Sequence, residues 1–224
     1  MAMARLKVGV LISGRGSNLQ ALLDAAASPA FPAEIALVIS NVPGAGGLDR
    51  ARAAGVPVAT LDHRSFGKGV DGKAGFEAAL QSALEGAGAR IVCLAGFMRL
   101  LSPAFVARWQ GRLINIHPSL LPAFKGLDVH AAMIRAGVKI AGCTVHFVSA
   151  EMDAGPIIGQ AAVPVLPEDT PETLAARILA EEHRLYPECV RRLALGQASI
   201  GAGGAVTLAG SAPSGALLNP PPSR

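Results

Sequence analysis

A doubly wound α/β fold is predicted, with a mostly parallel sheet covered by helices on both faces and mixed strands toward its end. Three features of the sequence point to it. Short β-branched runs alternate with Ala/Leu-rich stretches, the first strands hold continuous apolar runs, and a glycine-containing turn follows the first strand directly. A strand buried on both faces needs a helix above and below it, and parallel neighbours need crossover connections long enough to hold one.

Strands are predicted over residues 6–12, 35–39, 56–60 and 90–94, with helices over 19–27, 48–54 and 76–84 between them. A strand at 113–116 and a helix at 129–136 follow. Two longer strands, 141–149 and 157–165, are joined by the turn-rich stretch 150–156, and their β-rich content makes the later sheet mixed. Thr170 is placed as the N-cap of a last helix, with Pro171 in its first turn, running to about Leu193. Leu174, Ile178, Leu185 and Cys189 share one stripe of that helix, and Glu182 falls in the middle of it. A carboxylate in that position needs a partner. From Gln197 onward the chain is poor in charge and rich in Gly, Ala, Ser and Pro, so 1–196 is read as one domain and 197–224 as a flexible tail.

With 224 residues, 51% hydrophobic and 16% charged, the chain can bury a sizeable core and is not a disordered polymer. Twenty Lys and Arg against sixteen Asp and Glu leave a net charge of +4, too scattered for a nucleic-acid groove but suited to a small anionic substrate. The apolar run 91–98 stops at Arg99, short of the roughly 20 residues a bilayer helix needs, so no membrane association is expected. Cys93, Cys143 and Cys189 are odd in number and too far apart for zinc or redox spacing, which points to a reducing cytoplasm, with neither a disulfide framework nor a metal.

Three clusters carry candidate chemistry. Ser13-Gly14-Arg15-Gly16-Ser17-Asn18 lies between the first strand and the first helix. It reads either as a cradle whose backbone N–H groups face a phosphate, or as a tight turn with a Ser or Asn helix cap. It lacks the third glycine of a dinucleotide fingerprint and the Gly-Lys-Ser/Thr of a P-loop. Asn115 and His117, two apart at the end of a strand, project from the same face and can together hold a carbonyl, although a turn fixed by Pro118 and Pro122 is the plainer alternative. Asp153, in the loop after the strand at 141–149, could set a carboxylate beside His117, or serve only as a turn residue before Gly155 and Pro156.

Taken in order, Gly-Arg-Gly-Ser-Asn-Leu-Gln at 14–20, Ala-Gly-Phe-Met-Arg-Leu-Leu-Ser-Pro at 95–103, Asn-Ile-His-Pro-Ser-Leu-Leu-Pro at 115–122 and Asp-x-Gly-Pro at 153–156 closely resemble the phosphoribosylglycinamide formyltransferases. The likeness runs from about residue 5 to 193, and four linked motifs are far more specific than any one. It implies a Rossmann-like fold and transfer of a formyl group from 10-formyltetrahydrofolate, a co-substrate, to the amine of glycinamide ribonucleotide in purine synthesis. By position, Asn115, His117 and Asp153 match the family's catalytic trio, and Gly16, Ser17 and Asn18 its ribonucleotide-phosphate loop. Glu182 matches the glutamate that binds the ribonucleotide, while Met98, Arg99, Leu100, Leu101 and Asn115 match folate-binding positions. His146 matches a family position read as structural support.

Two positions depart from the pattern. Ala150 stands where many members carry an acid, and Lys73 lies near a folate-binding arginine, in a glycine-rich stretch that looks lengthened. Lysine keeps the charge but not the bidentate fork. The partners implied are small molecules, with the chain acting as a monomer or homodimer. The family resemblance also raises two rivals: formyltetrahydrofolate hydrolases, which usually add an N-terminal regulatory domain, and methionyl-tRNA formyltransferases, which add a C-terminal RNA-binding domain. The chain is expected to have neither addition.

Overall fold

The structure is a computed structural model that describes residues 4–210. Along the chain come β1 (Leu6–Ile12), α1 (Ser17–Ala26), β2 (Ala33–Ser40), α2 (Gly46–Ala53), β3 (Val58–Thr60), α3 (Gly69–Gly86), β4 (Ile91–Leu94) and α4 (Pro103–Arg108). They are followed by β5 (Leu113–His117), α5 (Val129–Arg135), β6 (Ile140–Phe147), β7 (Ile157–Pro164), α6 (Pro171–Ala194), β8 (Ala198–Ile200) and β9 (Val206–Leu208). Seven strands form one sheet in the order β3-β2-β1-β4-β5-β6-β7. β1 to β5 run parallel, whereas β6 and β7 pair antiparallel, as the mixed end of the sheet predicts.

The alternation of side chains along β1 distributes the core. Val8, Val10 and Ile12 enter the layer formed with α1, α2 and α6, while Leu11 enters the opposite layer with Phe76, Leu80 and Leu84 of α3 and with Trp109. Each such buried side chain contributes about 1.5–3 kcal/mol of transfer free energy. Gly9 faces the α3 layer, where a Cβ would stand 2.4 Å from Leu84 Cδ2, so the absent side chain lets the helix lie close to the sheet. A third cluster joins Val129 and Met133 of α5 to Leu174 and Ile178 of α6 over β6 and β7.

Thr170 caps α6 by accepting from Thr173 N–H, and the Thr173 hydroxyl accepts from Thr170 N–H in return, so the predicted start of that helix holds. Three elements differ from the sequence expectation. α3 begins at Gly69 rather than 76, preceded by a short 3-10 turn at His63–Phe66. Gly72 makes this possible, because a Cβ there would meet the Gly67 carbonyl oxygen at 2.5 Å, and the glycines that disguise the helix are what let the preceding turn fold against it. α4 leaves no sign in the sequence: it is six residues long, too short for an apolar period to show.

The third difference concerns the tail. It opens as a β8–β9 hairpin, which the sequence does not suggest, with Ala198 buried, Ala209 N–H donating to Gln197 O and Arg192 Nη1 donating to Ala209 O. Composition hid it because three-residue strands joined through glycines leave almost no pattern. The rest of that expected tail, 211–224, lies outside the described residues. Among the described residues, no helix is long and apolar enough to cross a membrane.

Candidate active site

β1 sits between β2 and β4, and the chain turns to opposite sides of β1 to form them. Loops leaving the carboxyl ends of β1 and β4 therefore diverge and open a crevice, which is where open α/β sheets take their ligands. A cavity of about 370 Å³ lies there, lined by residues 13–18 from the end of β1 and by Ala95, Gly96 and Met98 from the end of β4. Gly16, at φ 71°, is the N-cap of α1, and no side chain caps the helix. The alternative of a Ser or Asn cap is thus not what forms, and the first N–H groups of α1 face the crevice without a capping oxygen. A Cβ on Gly16 would meet Gly47 Cα at 2.7 Å.

Asn18 spans the crevice to α6. Its Nδ2 donates to Glu182 Oε2 at 2.7 Å, which supplies the partner that a carboxylate within an apolar stripe requires. Burial pushes the Glu182 carboxyl above its ordinary value, opposed by the Asn18 hydrogen bond and by His117. Asn18 Oδ1 is buried and accepts nothing among the described residues, so an acceptor stands ready for a ligand donor.

The second cluster is built by the β5–β6 register, which pairs Asn115 with His146 and His117 with Thr144. Side chains two apart share a face, so the amide and the imidazole emerge together. Asn115 Nδ2 lies 3.3 Å from His146 Nε2, and His146 Nδ1 lies 2.9 Å from Phe147 O. Burial pushes the His146 imidazole below its ordinary value, an effect to which His117 adds and which the Phe147 carbonyl and Asp153 oppose. A neutral ring with its proton on Nδ1 donates to Phe147 O and presents a lone pair to Asn115. One amide hydrogen of Asn115 is anchored in this way, leaving the other to a ligand.

His117 is 5% exposed and contacts two loops. Its Nε2 lies 2.9 Å from Phe124 O, and its Nδ1 lies 3.5 Å from Asp153 Oδ2. Both ring nitrogens thus face oxygen atoms. Asp153 Oδ2 also accepts from Gly126 N–H at 2.9 Å, and its Oδ1 is 3.8 Å from His146 Nε2. Phe124, Asp128 and Asp153 all hold positive φ, 54°, 54° and 50°. Left-handed backbone at non-glycine residues costs about 1–3 kcal/mol each and persists where surrounding contacts over-determine it.

The structure thus brings Asn115, His117 and Asp153 into one cluster, with His146 as a fourth member. His146, which the resemblance marks as structural support, enters the cluster because it falls opposite Asn115 in the β5–β6 pairing. The Phe124 carbonyl left no signal, because any residue supplies one. Gly16, Ser17 and Asn18 line the cavity with Met98 beside them. Arg99 instead lines a second cleft of about 320 Å³, shared with Lys73, Arg64, Lys68 and His63. Met98 and Leu100 are exposed, Leu101 packs against the α3 layer, and Ala150 is exposed at the start of the Asp153 loop.

Comparison with known proteins shows the family to which the chain belongs. Residues 6–190 match the formyl transferase family. The chain is 42% identical over 185 residues to phosphoribosylglycinamide formyltransferase of Haemophilus influenzae, covering 83% of this chain and 85% of that protein. It is 46% identical over 202 residues to the trifunctional purine biosynthetic protein adenosine-3 of Gallus gallus; that match covers 90% of this chain but 20% of the larger protein. The chain therefore spans a fifth or less of the trifunctional relatives' length. The crystal structure of phosphoribosylglycinamide formyltransferase from Anaplasma phagocytophilum superimposes with a TM-score of 0.85 at 46% identity, covering 94% of this chain and 97% of that one. The chain belongs to the formyl transferase family.

Proposed function

We propose that this chain is a phosphoribosylglycinamide formyltransferase, moving a formyl group from 10-formyltetrahydrofolate to the amine of glycinamide ribonucleotide. The products are formylglycinamide ribonucleotide and tetrahydrofolate, in purine synthesis. The observation that carries the reading is the meeting of Asn115, His117 and Asp153 at one end of the sheet, with an uncapped helix start and Glu182 across the same crevice from Asn18. The reacting unit is assigned to 1–196, in a cytoplasmic setting.

The ribonucleotide phosphate sits on the N–H groups of Gly16, Ser17 and Asn18, where the helix end favours an anion. Asn18 Oδ1 and Glu182 then take donors from the rest of that substrate. The folate lies along Met98, Arg99, Leu100 and Leu101 and reaches Asn115, its acidic end toward Lys73 and Arg99. The neutral amine attacks the formyl carbon, forming the new C–N bond and placing negative charge on the formyl oxygen. The free Asn115 amide hydrogen and His117 stabilise that oxygen, and donors of this kind contribute roughly 3–4 kcal/mol each. His117 Nε2 lies 2.9 Å from Phe124 O, so its donation to the formyl oxygen requires that contact to be exchanged. Asp153 accepts the proton lost by the amine, directly or through water, and a proton goes to the folate nitrogen as its bond to the formyl carbon breaks.

The test is a spectrophotometric assay of the folate with and without glycinamide ribonucleotide. Tetrahydrofolate release that requires the ribonucleotide, with formylated ribonucleotide formed in equal amount, supports the reading. Release at the same rate without it would make the chain a hydrolase, and binding without release a non-catalytic binder.

A further inference from the structure

Residues 97–102 carry no regular secondary structure, and Met98 and Leu100 are 68% and 70% exposed. A strip of this kind is free to wander. Its backbone is nevertheless pinned at both ends by side chains from different walls. At one end Met98 N–H donates to Ser13 Oγ at 2.7 Å, and Ser13 donates onward to Asn41 Oδ1 at 2.6 Å. At the other, Ser102 N–H donates to Glu77 Oε1 at 2.6 Å and the Ser102 hydroxyl donates to Glu77 Oε2.

Glu77 is 7% exposed and forms no ion pair among the described residues. A buried carboxylate without a cation is expensive, and here each of its oxygens is committed to the same serine. Helix capping does not demand it, since Ser102 Oγ already caps α4 by accepting from Phe105 N–H. What Glu77 adds is a tie between the strip and α3. One turn earlier on the same face of α3 is Lys73, which shares the second cleft with Arg99 of the strip.

We infer that Glu77 is a positioning residue for formyl transfer: by gripping Ser102 it fixes residues 98–101 against α3 and holds the folate-side wall in register with Lys73. The inference rests on the reading that this strip lines the folate. It places Ser13 at the other end of the same strip, joined to the ribonucleotide loop, so that only Glu77 acts on the folate side alone.

The experiment is steady-state kinetics of the full chain with both substrates varied, with the thermal midpoint recorded in parallel. Glu77→Ala is expected to raise the folate KM about tenfold while the ribonucleotide KM stays within about twofold, a misplacement effect rather than a loss of chemistry. Glu77→Gln restores the folate KM, because its amide oxygen accepts from Ser102 N–H and its NH2 donates to Ser102 Oγ. A lowered midpoint with both KM values unchanged, or both rising together, overturns the inference. Should Glu77→Ala fail to fold, Glu77→Asp decides: it leaves the Ser102 cap on α4 in place but, one methylene shorter, cannot hold both the Ser102 N–H and the hydroxyl, so a selective rise in folate KM is expected, and no rise overturns the inference. Wild-type protein that does not transfer formyl at all refutes the function itself, an outcome separate from these.

Discussion

His117 Nδ1 lies 3.5 Å from Asp153 Oδ2, although one residue ends β5 and the other rides the loop leaving β6. The separation is longer than the 2.7–2.9 Å typical of a direct charge-assisted bond, so the pair is aligned without being locked. Asp153 is also tied to Gly126 N–H, and His117 to Phe124 O, so the two loops that close on the histidine brace each other through it.

Asp153→Asn should leave the loop folded, because asparagine tolerates positive φ and its amide oxygen can still accept from Gly126 N–H. It removes only the charge and the proton acceptor. Turnover is expected to fall by about 10²–10⁴-fold with both KM values nearly unchanged. Near-normal kcat would remove Asp153 from the mechanism.

His146 gives the site a dependence on pH. Its imidazole is depressed below 6.5, chiefly by burial, so the native ring takes a proton less readily than the unfolded chain does. Its contribution to stability is therefore complete above 6.5 and disappears as pH falls through the depressed value. Urea unfolding of wild type and His146→Asn should show a stability difference that is largest above that point and shrinks below it. A difference that does not vary with pH would contradict the neutral-ring assignment.

Glu182 has the opposite sign. Burial raises its carboxyl above 4.5, so the native state holds the proton more tightly than the unfolded state, and stability is lost as pH rises from there through the raised value. Glu182→Gln keeps an acceptor for Asn18 Nδ2 while removing the buried charge. The thermal midpoint at neutral pH is expected to rise by a few degrees, while the ribonucleotide KM increases about tenfold. Thermal melts and kinetics on one preparation check both halves.

Gly16→Ala probes the uncapped helix start. A side chain at φ 71° costs about 1–2 kcal/mol and would press on Gly47 Cα. Reduced stability in urea, together with a ribonucleotide KM that rises while the folate KM holds, is the expected result. An equal effect on both substrates would place the phosphate elsewhere.

The fold was legible where burial leaves a period. From Val8 to Ile12 β1 carries no polar side chain because both faces are covered there, and Glu182 stood out because it interrupts an otherwise apolar helix stripe. The beginning of α3 was not legible, because Gly69, Gly72 and Gly75 read as a loop until the close approach of the Gly67 carbonyl is seen. The hairpin at 198–208 escaped for a related reason, its strands being too short to alternate. Within the site, motif spacing located Asn115, His117 and Asp153, but their meeting depends on an antiparallel β5–β6 pairing that no local pattern specifies. Glu77 was hidden among helix residues, since nothing in the sequence links it to Ser102.

The most direct measurement is a crystal structure with glycinamide ribonucleotide and a non-transferable formyl-folate analogue bound together. The formyl oxygen is expected at about 3 Å from Asn115 Nδ2, with the amine on the Asp153 side and the phosphate on the N–H groups of residues 16–18. A formyl group bound away from Asn115 and His117, with the phosphate outside that loop, would contradict the account.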